Sequence, residues 1–472
     1  MTHSVETNTD TAVDNPLNFR SSRPLLPYGL DMIRSFPVFL RSALYVIRGG
    51  FLIRPFVIAL TLGIAGAVLS AIEERVPDIR AIVPSVLFPS HADPQVAQAI
   101  LVSIATSTMT VVSIVFAILL MTLTLASTQF SPRILVSFVR DRVTQWTLGI
   151  FLGTFSYCIA ALPAARALPY TFVPVLTVAG AMTLAPICVG WLIYFIHHIS
   201  NAISVNNIVD RIRREAEAVI DELMPDRRCA ASFIEAAEPS AQELDFIVAS
   251  RQSGYIRFVD IGRLRSLAKS YGVCLRLERR VGHFIPEGVG LLRVSRGDRV
   301  SPERARQLLT AIDIGPTRTM QQDVEFGIVQ IVDVALRAIS PAINDPTTAI
   351  SCVDQLGCIL IRWLGRAPPR RYHYDPPHVL RVVIPWSSFD GLLDLAFEQI
   401  RHYSIADAAV SLRLMRCLGD IASVVDDPSI RSRLLDRGKC LVADCNGRLR
   451  GADIERLRQR LARLEFGVAV ED

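Results

Sequence analysis

The sequence predicts a mainly α protein: a four-span α-helical membrane domain followed by a cytosolic α+β domain built from a small β module and a helical bundle. Three observations carry this reading. Charge is unevenly spread, with 21 Asp, Glu, Lys and Arg in residues 1–209, about 10% of positions, and 74 in residues 210–472, about 28%. Mean hydropathy over the whole chain is +0.36, high for a soluble protein. Four stretches of the first half hold no acidic or basic side chain: residues 55–72, 94–132, 143–165 and 167–209. With 472 residues, of which 51% are hydrophobic, the chain is not collagen-like, disordered or a small disulfide scaffold.

The tail, residues 1–50, includes a candidate interfacial helix at residues 31–48. Arg34, Arg41 and Arg48 recur every seven residues on one face, and Ile33, Phe36, Leu40, Leu44 and Ile47 fill the other. Such a helix lies in an anionic leaflet or packs on the cytosolic domain. An α-helix rises about 1.5 Å per residue, so about 20 residues cross the hydrocarbon core. Spans are expected at about 55–72, 96–125, 146–165 and 170–196, within a transmembrane domain of residues 51–200. Residues 95–131 hold neither Gly nor Pro, so the second span reads as one long helix. The fourth stretch carries Pro174, Gly180, Pro186 and Gly190, yet two pieces parted by a turn would each be too short to cross. No charge falls within any expected span, which argues against a coupled-ion transporter.

Four spans leave both termini on one side. Twelve arginines flank that side and three, Arg75, Arg80 and Arg166, flank the other. The positive-inside rule then predicts both termini, and the large C-terminal domain, in the cytosol of a multi-pass membrane protein. The first apolar run starts too deep for a cleaved signal peptide. The nine cysteines form no C-x-x-C pair and suit reduced cytosolic thiols. A net charge of +5 leaves no nucleic-acid footprint.

Span two carries the hydroxyls Ser103, Thr106, Ser107, Thr110 and Ser113 at spacings of three and four. Ser103, Thr106, Thr110 and Ser113 are candidate pore-lining residues in an oligomer; alternatively, the small side chains let helices pack closely. Residues 201–225 continue span four as an amphipathic linker helix, with Ile208, Ile212, Val219 and Leu223 on one face and Asp210, Arg211 and Arg214 on the other.

Residues 226–370 are expected to form the α+β domain and 371–472 the helical bundle. Strands are predicted at 254–259, 273–277 and 291–294, with a helix at 262–270 and turn punctuation from Gly282 to Gly288. The segment faintly resembles half of a lipoyl-type domain, but Lys269 lies on the helix and not in the turn, so no carrier role follows. His373 and His378 fall in a Pro-rich surface loop. The densest polar constellation is residues 320–360. A helix over 322–338 places Asp323, Gln330, Asp333 and Arg337 near one face and stops before Pro341. A second helix starts at Asp345-Pro346, with Asp345 as N-cap. Asp333, Asn344, Asp345 and Asp354 are thus a candidate cation, ligand or interface set, or else helix caps and interface seals.

These residues also carry a resemblance. Gln322-Asp323-Val324-Glu325-Phe326-Gly327 and Ser340-Pro341-Ala342-Ile343-Asn344-Asp345-Pro346-Thr347-Thr348-Ala349, together with Ser127-Thr128-Gln129-Phe130-Ser131-Pro132-Arg133 and Thr154-Phe155-x-Tyr157-Cys158, resemble a family of predicted bacterial membrane proteins, domain of unknown function 2254. Arg54 and Ala117 depart from the family's pattern. The resemblance implies a membrane region plus a cytosolic domain, and no activity.

No P-loop, dinucleotide fingerprint, nucleophile elbow or zincin motif occurs. The expectation is a non-enzymatic, cofactor-free integral membrane protein, acting as an oligomeric channel with a cytosolic assembly or gating domain. The alternative is a membrane-anchored scaffold whose cytosolic domain binds a ligand or partner. The expected partners are the lipid bilayer and further copies of the chain.

Overall fold

The computed structural model describes residues 53–76, 93–129, 141–166, 172–202, 204–227 and 244–466. The interfacial helix expected at 31–48 lies outside these residues. Among the described residues, four helices are long and apolar enough to cross a membrane: α1 (Ile53–Arg75), α2 (Pro94–Gln129), α3 (Arg142–Ala161, then a 3-10 turn at Leu162–Ala164) and α4 (Val175–Ala202). The third starts four residues before expectation because Asp141 caps it, accepting from the Thr144 amide. The fourth is one helix with Pro186 inside it, displaced toward the C-terminus from the expected 170–196. The 36 residues of α2 extend about 54 Å, well beyond a hydrocarbon core of about 30 Å.

Small residues set the packing. A Cβ added to Gly66 of α1 would stand 2.7 Å from the Tyr157 carbonyl oxygen of α3, and one on Gly63 would stand 3.2 Å from the Ser156 Cβ. From the other side, Gly149 and Gly153 of α3 receive Ile58 and Leu62 of α1. In lipid, where apolar burial gives little drive, such close backbone approach supplies the association. One expectation fails here: α1 continues through Glu73, Glu74 and Arg75, so a span does contain charge, and Glu73 is fully buried.

The expected continuous linker is two helices. Ser204 takes an extended backbone (φ −61°, ψ 124°), and α5 (Val205–Leu223) starts after it. Its apolar face, Ile208, Val209, Ile212, Ala216, Val219 and Ile220, enters the core of the helical bundle.

The β module consists of β1 (Phe246–Ala249), β2 (Gly254–Val259), α6 (Ile261–Tyr271), β3 (Leu275–Leu277), β4 (Phe284–Ile285), β5 (Gly290–Val294), α7 (Pro302–Leu309) and β6 (Ile312–Gly315). Gly272 ends α6 in the left-handed conformation (φ 67°), which glycine adopts without steric cost. Then come α8 (Val324–Ala338), α9 (Pro346–Leu364), β7 (Tyr372–Asp375), β8 (Val379–Val383), α10 (Phe389–Tyr403), α11 (Ala408–Ser423), α12 (Pro428–Cys445) and α13 (Gly451–Phe466). One sheet runs β1-β5-β3-β8-β7 and the other β4-β2-β6.

The split expected at residue 370 does not describe this packing. Residues 372–383 form a hairpin, not a surface loop, and β8 pairs parallel with β3, Leu275 opposite Val382. Conversely α8 and α9, placed with the β module by position, share one core with α5, α10 and α11. The chain passes between the two modules four times, after α5, β6, α9 and β8.

Replacing Gly66 with Val forces its Cβ against the Tyr157 backbone, a clash that no rotamer relieves. It should cost about 1–3 kcal/mol, read as a lower melting midpoint of the detergent-solubilised protein. Gly190→Ala, with open space around it, should leave the midpoint unchanged or higher.

Candidate functional site

Three polar regions stand out, and each owes its geometry to a helix end or a helix face. The first lies where α1 meets α4. The Glu73 carboxylate accepts from the Leu176 and Thr177 amides at 3.0 and 3.1 Å and from the Thr177 hydroxyl at 3.1 Å. The first turn of α4 has no carbonyls of its own to satisfy those amides, and water is scarce there, so an acid from another helix supplies the acceptors. Tyr157 of α3 donates to the Thr177 carbonyl at 3.0 Å, and Gln98 of α2 donates to the Ala165 carbonyl at 2.6 Å. Arg166 pairs with Glu74. Sequence reasoning missed Glu73. Its only local signal is an acid just past a charge-free run; the partner is about a hundred residues away.

The second region is the hydroxyl face of α2. Ser103, Thr106, Thr110 and Ser113 are all exposed, and the other spans leave them uncovered. Thr106, Thr110 and Ser113 line a groove of about 370 Å³ between α2 and α3, bounded by Val102, Met109, Phe155 and Ile159. The Thr110 hydroxyl donates to the Thr106 carbonyl at 3.0 Å and Ser113 to Met109 at 3.2 Å. Those two hydrogens are spent within the helix, so Thr110 and Ser113 face the groove with their hydroxyl oxygens.

The third is the α8–α9 segment with its surroundings. Asp345 caps α9, accepting from the Thr348 amide (3.1 Å) and hydroxyl, and these bonds hold its carboxyl below the usual range. Asn344 takes φ 51°, a left-handed conformation that Asn tolerates better than most residues. The four expected ligands do not converge. Asp354 stands nine residues beyond Asp345, half a turn out of phase and about 13 Å along the axis. It pairs in bidentate fashion with Arg413 of α11 at 2.6 and 2.8 Å. Asp333 is half-buried on α8 and engaged within the fold. Among the described residues, no group of three or more His, Cys, Asp or Glu is placed to hold a metal ion.

The structure gathers a different set at the other end of α8. Asp323 is not on the helix face but is its N-cap, accepting from the Phe326 amide. The carboxylate is almost fully buried and bound in bidentate fashion by Arg318 at 2.8 and 2.9 Å. Burial pushes this carboxyl up, against the lowering effect of Arg318. Glu325 pairs with Arg280 at 3.1 Å and accepts from the Ser387 hydroxyl. Gln322 spans to β2, accepting from the Val259 amide at 2.9 Å and donating to its carbonyl at 3.2 Å. Gly282, at φ 88°, lets the Asp323 carboxylate approach where a Cβ would lie 2.3 Å away. The segment Gln322–Glu325 thus fastens the helical bundle to the β module. His283 accepts from Arg280 at 3.2–3.3 Å. Burial lowers its pKa below 6.5; Arg280 lowers it further, Glu325 opposes and Arg318 and Arg279 add to the lowering.

Two outcomes follow. Asp345→Ala should lower stability by about 1 kcal/mol while leaving membrane insertion intact; thermal melting beside an extraction assay checks this. For His283, the folded pKa lies below the unfolded value of 6.5, so its stabilising contribution is complete above 6.5 and is lost as pH falls through the folded pKa. Melting midpoints across pH 7 to 5 should therefore fall less steeply in His283→Gln than in the parent.

Residues 48–420 match the family model described as Predicted membrane protein (DUF2254). Uncharacterized protein Mb1321c of Mycobacterium bovis and Uncharacterized protein Rv1290c of Mycobacterium tuberculosis are each 32% identical over 400 residues, covering 83% of this chain and 75% of theirs. No solved structure matches. Both the Gln322–Glu325 fastening and the Asn344-Asp345-Pro346 turn fall inside the matched region, and the chain belongs to the DUF2254 family of predicted membrane proteins.

Proposed function

We propose that the protein is a non-enzymatic, homo-oligomeric channel of the bacterial cytoplasmic membrane, with both termini in the cytosol and α2 facing a shared path. The observation that carries this reading is the uncovered hydroxyl groove of α2, beside Phe155 and Ile159 of α3. Four helices are too few to enclose a private aqueous route, so several copies surround one. The self-satisfied hydroxyls line it without needing fixed partners, and the apolar stretch 114–121 forms its constriction. The twelve-to-three distribution of arginines supports the orientation.

The role given to the cytosolic domain is assembly and gating. Supporting it, two acids of the α8–α9 segment are occupied within the fold: Asp345 by a cap and Asp354 by Arg413. α5 joins the spans directly to the bundle core.

Light scattering of the detergent-solubilised protein should give an oligomer; a strict monomer overturns the channel. In liposomes the protein should pass small solutes, and Thr110→Phe should lower that flux by roughly an order of magnitude by filling the wetted path. Unchanged flux removes α2 from the lining.

A further inference from the structure

The in-register packing of α5 and α9 has a consequence for the loop between α8 and α9. Both helices have 19 residues. Asp221, the seventeenth residue of α5, pairs with Arg362, the seventeenth of α9, through Oδ1 and Nε at 2.9 Å. One turn earlier, Cys358, the thirteenth residue of α9, lies within electrostatic reach of Arg213 and Glu217, the ninth and thirteenth of α5; the helices therefore run parallel and nearly in register, and side-by-side helix axes stand about 8–10 Å apart. The start of α9 is thus beside Val205, three residues after α4 ends at Ala202. Because α4 is a membrane span, the turn feeding α9 is held against the plane where that span leaves the bilayer. α8 packs beside α9 and ends in the same turn, so its start at Val324, with the β module attached, lies at the far end.

We propose that the α8–α9 loop rests in the headgroup layer of the leaflet that α4 exits, with Ile343 as its apolar anchor. Pro341, Ala342, Ile343 and Asn344 form an exposed tip, and Ile343 leaves 48% of its surface uncovered. A lone exposed isoleucine needs no explanation on an ordinary surface; here it shares a tip with Pro341 and Ala342 beside the membrane exit. The backbone is prepared for such a layer. The amides of Ile343 and Asn344 donate to the Ser340 carbonyl at 3.0 and 2.9 Å, and that of Asp345 donates to the Ala338 carbonyl at 2.8 Å. Those donors need no water, which removes the main cost of leaving bulk solvent. The one acid of the turn, Asp345, directs its carboxylate back onto Thr348, so it presents no free carboxylate to anionic lipid. The occupant is lipid because the surface is continuous with a span already in the bilayer. This inference does not depend on the channel reading.

The test places a single environment-sensitive fluorophore on Ile343→Cys in the full chain, with Cys229, Cys358 and Cys440 replaced by Ser, reconstituted in vesicles of phosphatidylethanolamine and phosphatidylglycerol. Phe284→Cys, exposed on the β module, is the reference. The expected result is a blue shift at 343 with quenching by lipids carrying a nitroxide at the headgroup, and neither at 284. Quenching no stronger at 343 than at 284 overturns the proposal. A blue shift at 343 without lipid quenching also overturns it, because protein then covers the tip. A melting midpoint of Ile343→Cys in detergent equal to the parent's confirms that the variant is folded, and its labelling there confirms that the tip is accessible.

Discussion

The unpaired amides at helix starts are the constraint on which this architecture depends. A helix leaves its first four N–H groups without internal acceptors, and this chain meets the need with acidic or hydroxyl side chains at helix after helix. Asp141, Asp260, Ser301, Asp323, Asp345, Ser388, Asp407 and Asp427 each accept from an amide in the first turn. Where the start of α4 lies among apolar helices, the acceptor comes from another span, as Glu73. Each local cap is worth about 1 kcal/mol, and six of these eight are aspartates. This is also why the most specific polar segment of the sequence does not form a metal or ligand cluster: its aspartates are spent on caps and ion pairs.

Two of these caps do more than end a helix. Asp323 is at once the cap of α8 and the acceptor of Arg318, against a glycine that allows the contact. Removing either partner would leave a charge in a buried site, and such losses are far costlier than the pair's net contribution. Glu73 joins α1 to α4, while the glycine faces join α1 to α3. The membrane bundle is thus tight along α1, α3 and α4 and open along the hydroxyl face of α2.

Much of this was legible in the sequence because it is local. Charge-free stretches gave the spans, and strand and helix bounds in residues 254–294 followed from turn residues and alternation. Asp345-Pro346 announced a helix start by its own chemistry. What stayed hidden is non-local. Glu73 looked like the first residue of a loop, since nothing nearby reveals that Leu176 and Thr177 need an acceptor. The hairpin at 372–383 reads as a Pro-rich linker until β3 is there to pair with β8. The partner that occupies Asp354, Arg413, lies 59 residues away on another helix, and nothing next to Asp354 reveals it. The break at Ser204 carries no Gly or Pro to mark it.

That break shapes how the two parts of the chain act on each other. α5 is not a free tether: its apolar face is in the bundle core, and its far end is pinned by Arg362 and Arg366 to Asp221. Cores of this density shift between packed arrangements as units and do not deform smoothly. A displacement of the C-terminal end of α4 is therefore absorbed at the extended residue Ser204 or passed whole to α8 and α9. The direct His198–Asp141 contact, at 3.1 Å, ties that same end of α4 to the start of α3. The covalent link from the spans to the bundle is thus the short step from Ala202 to Val205.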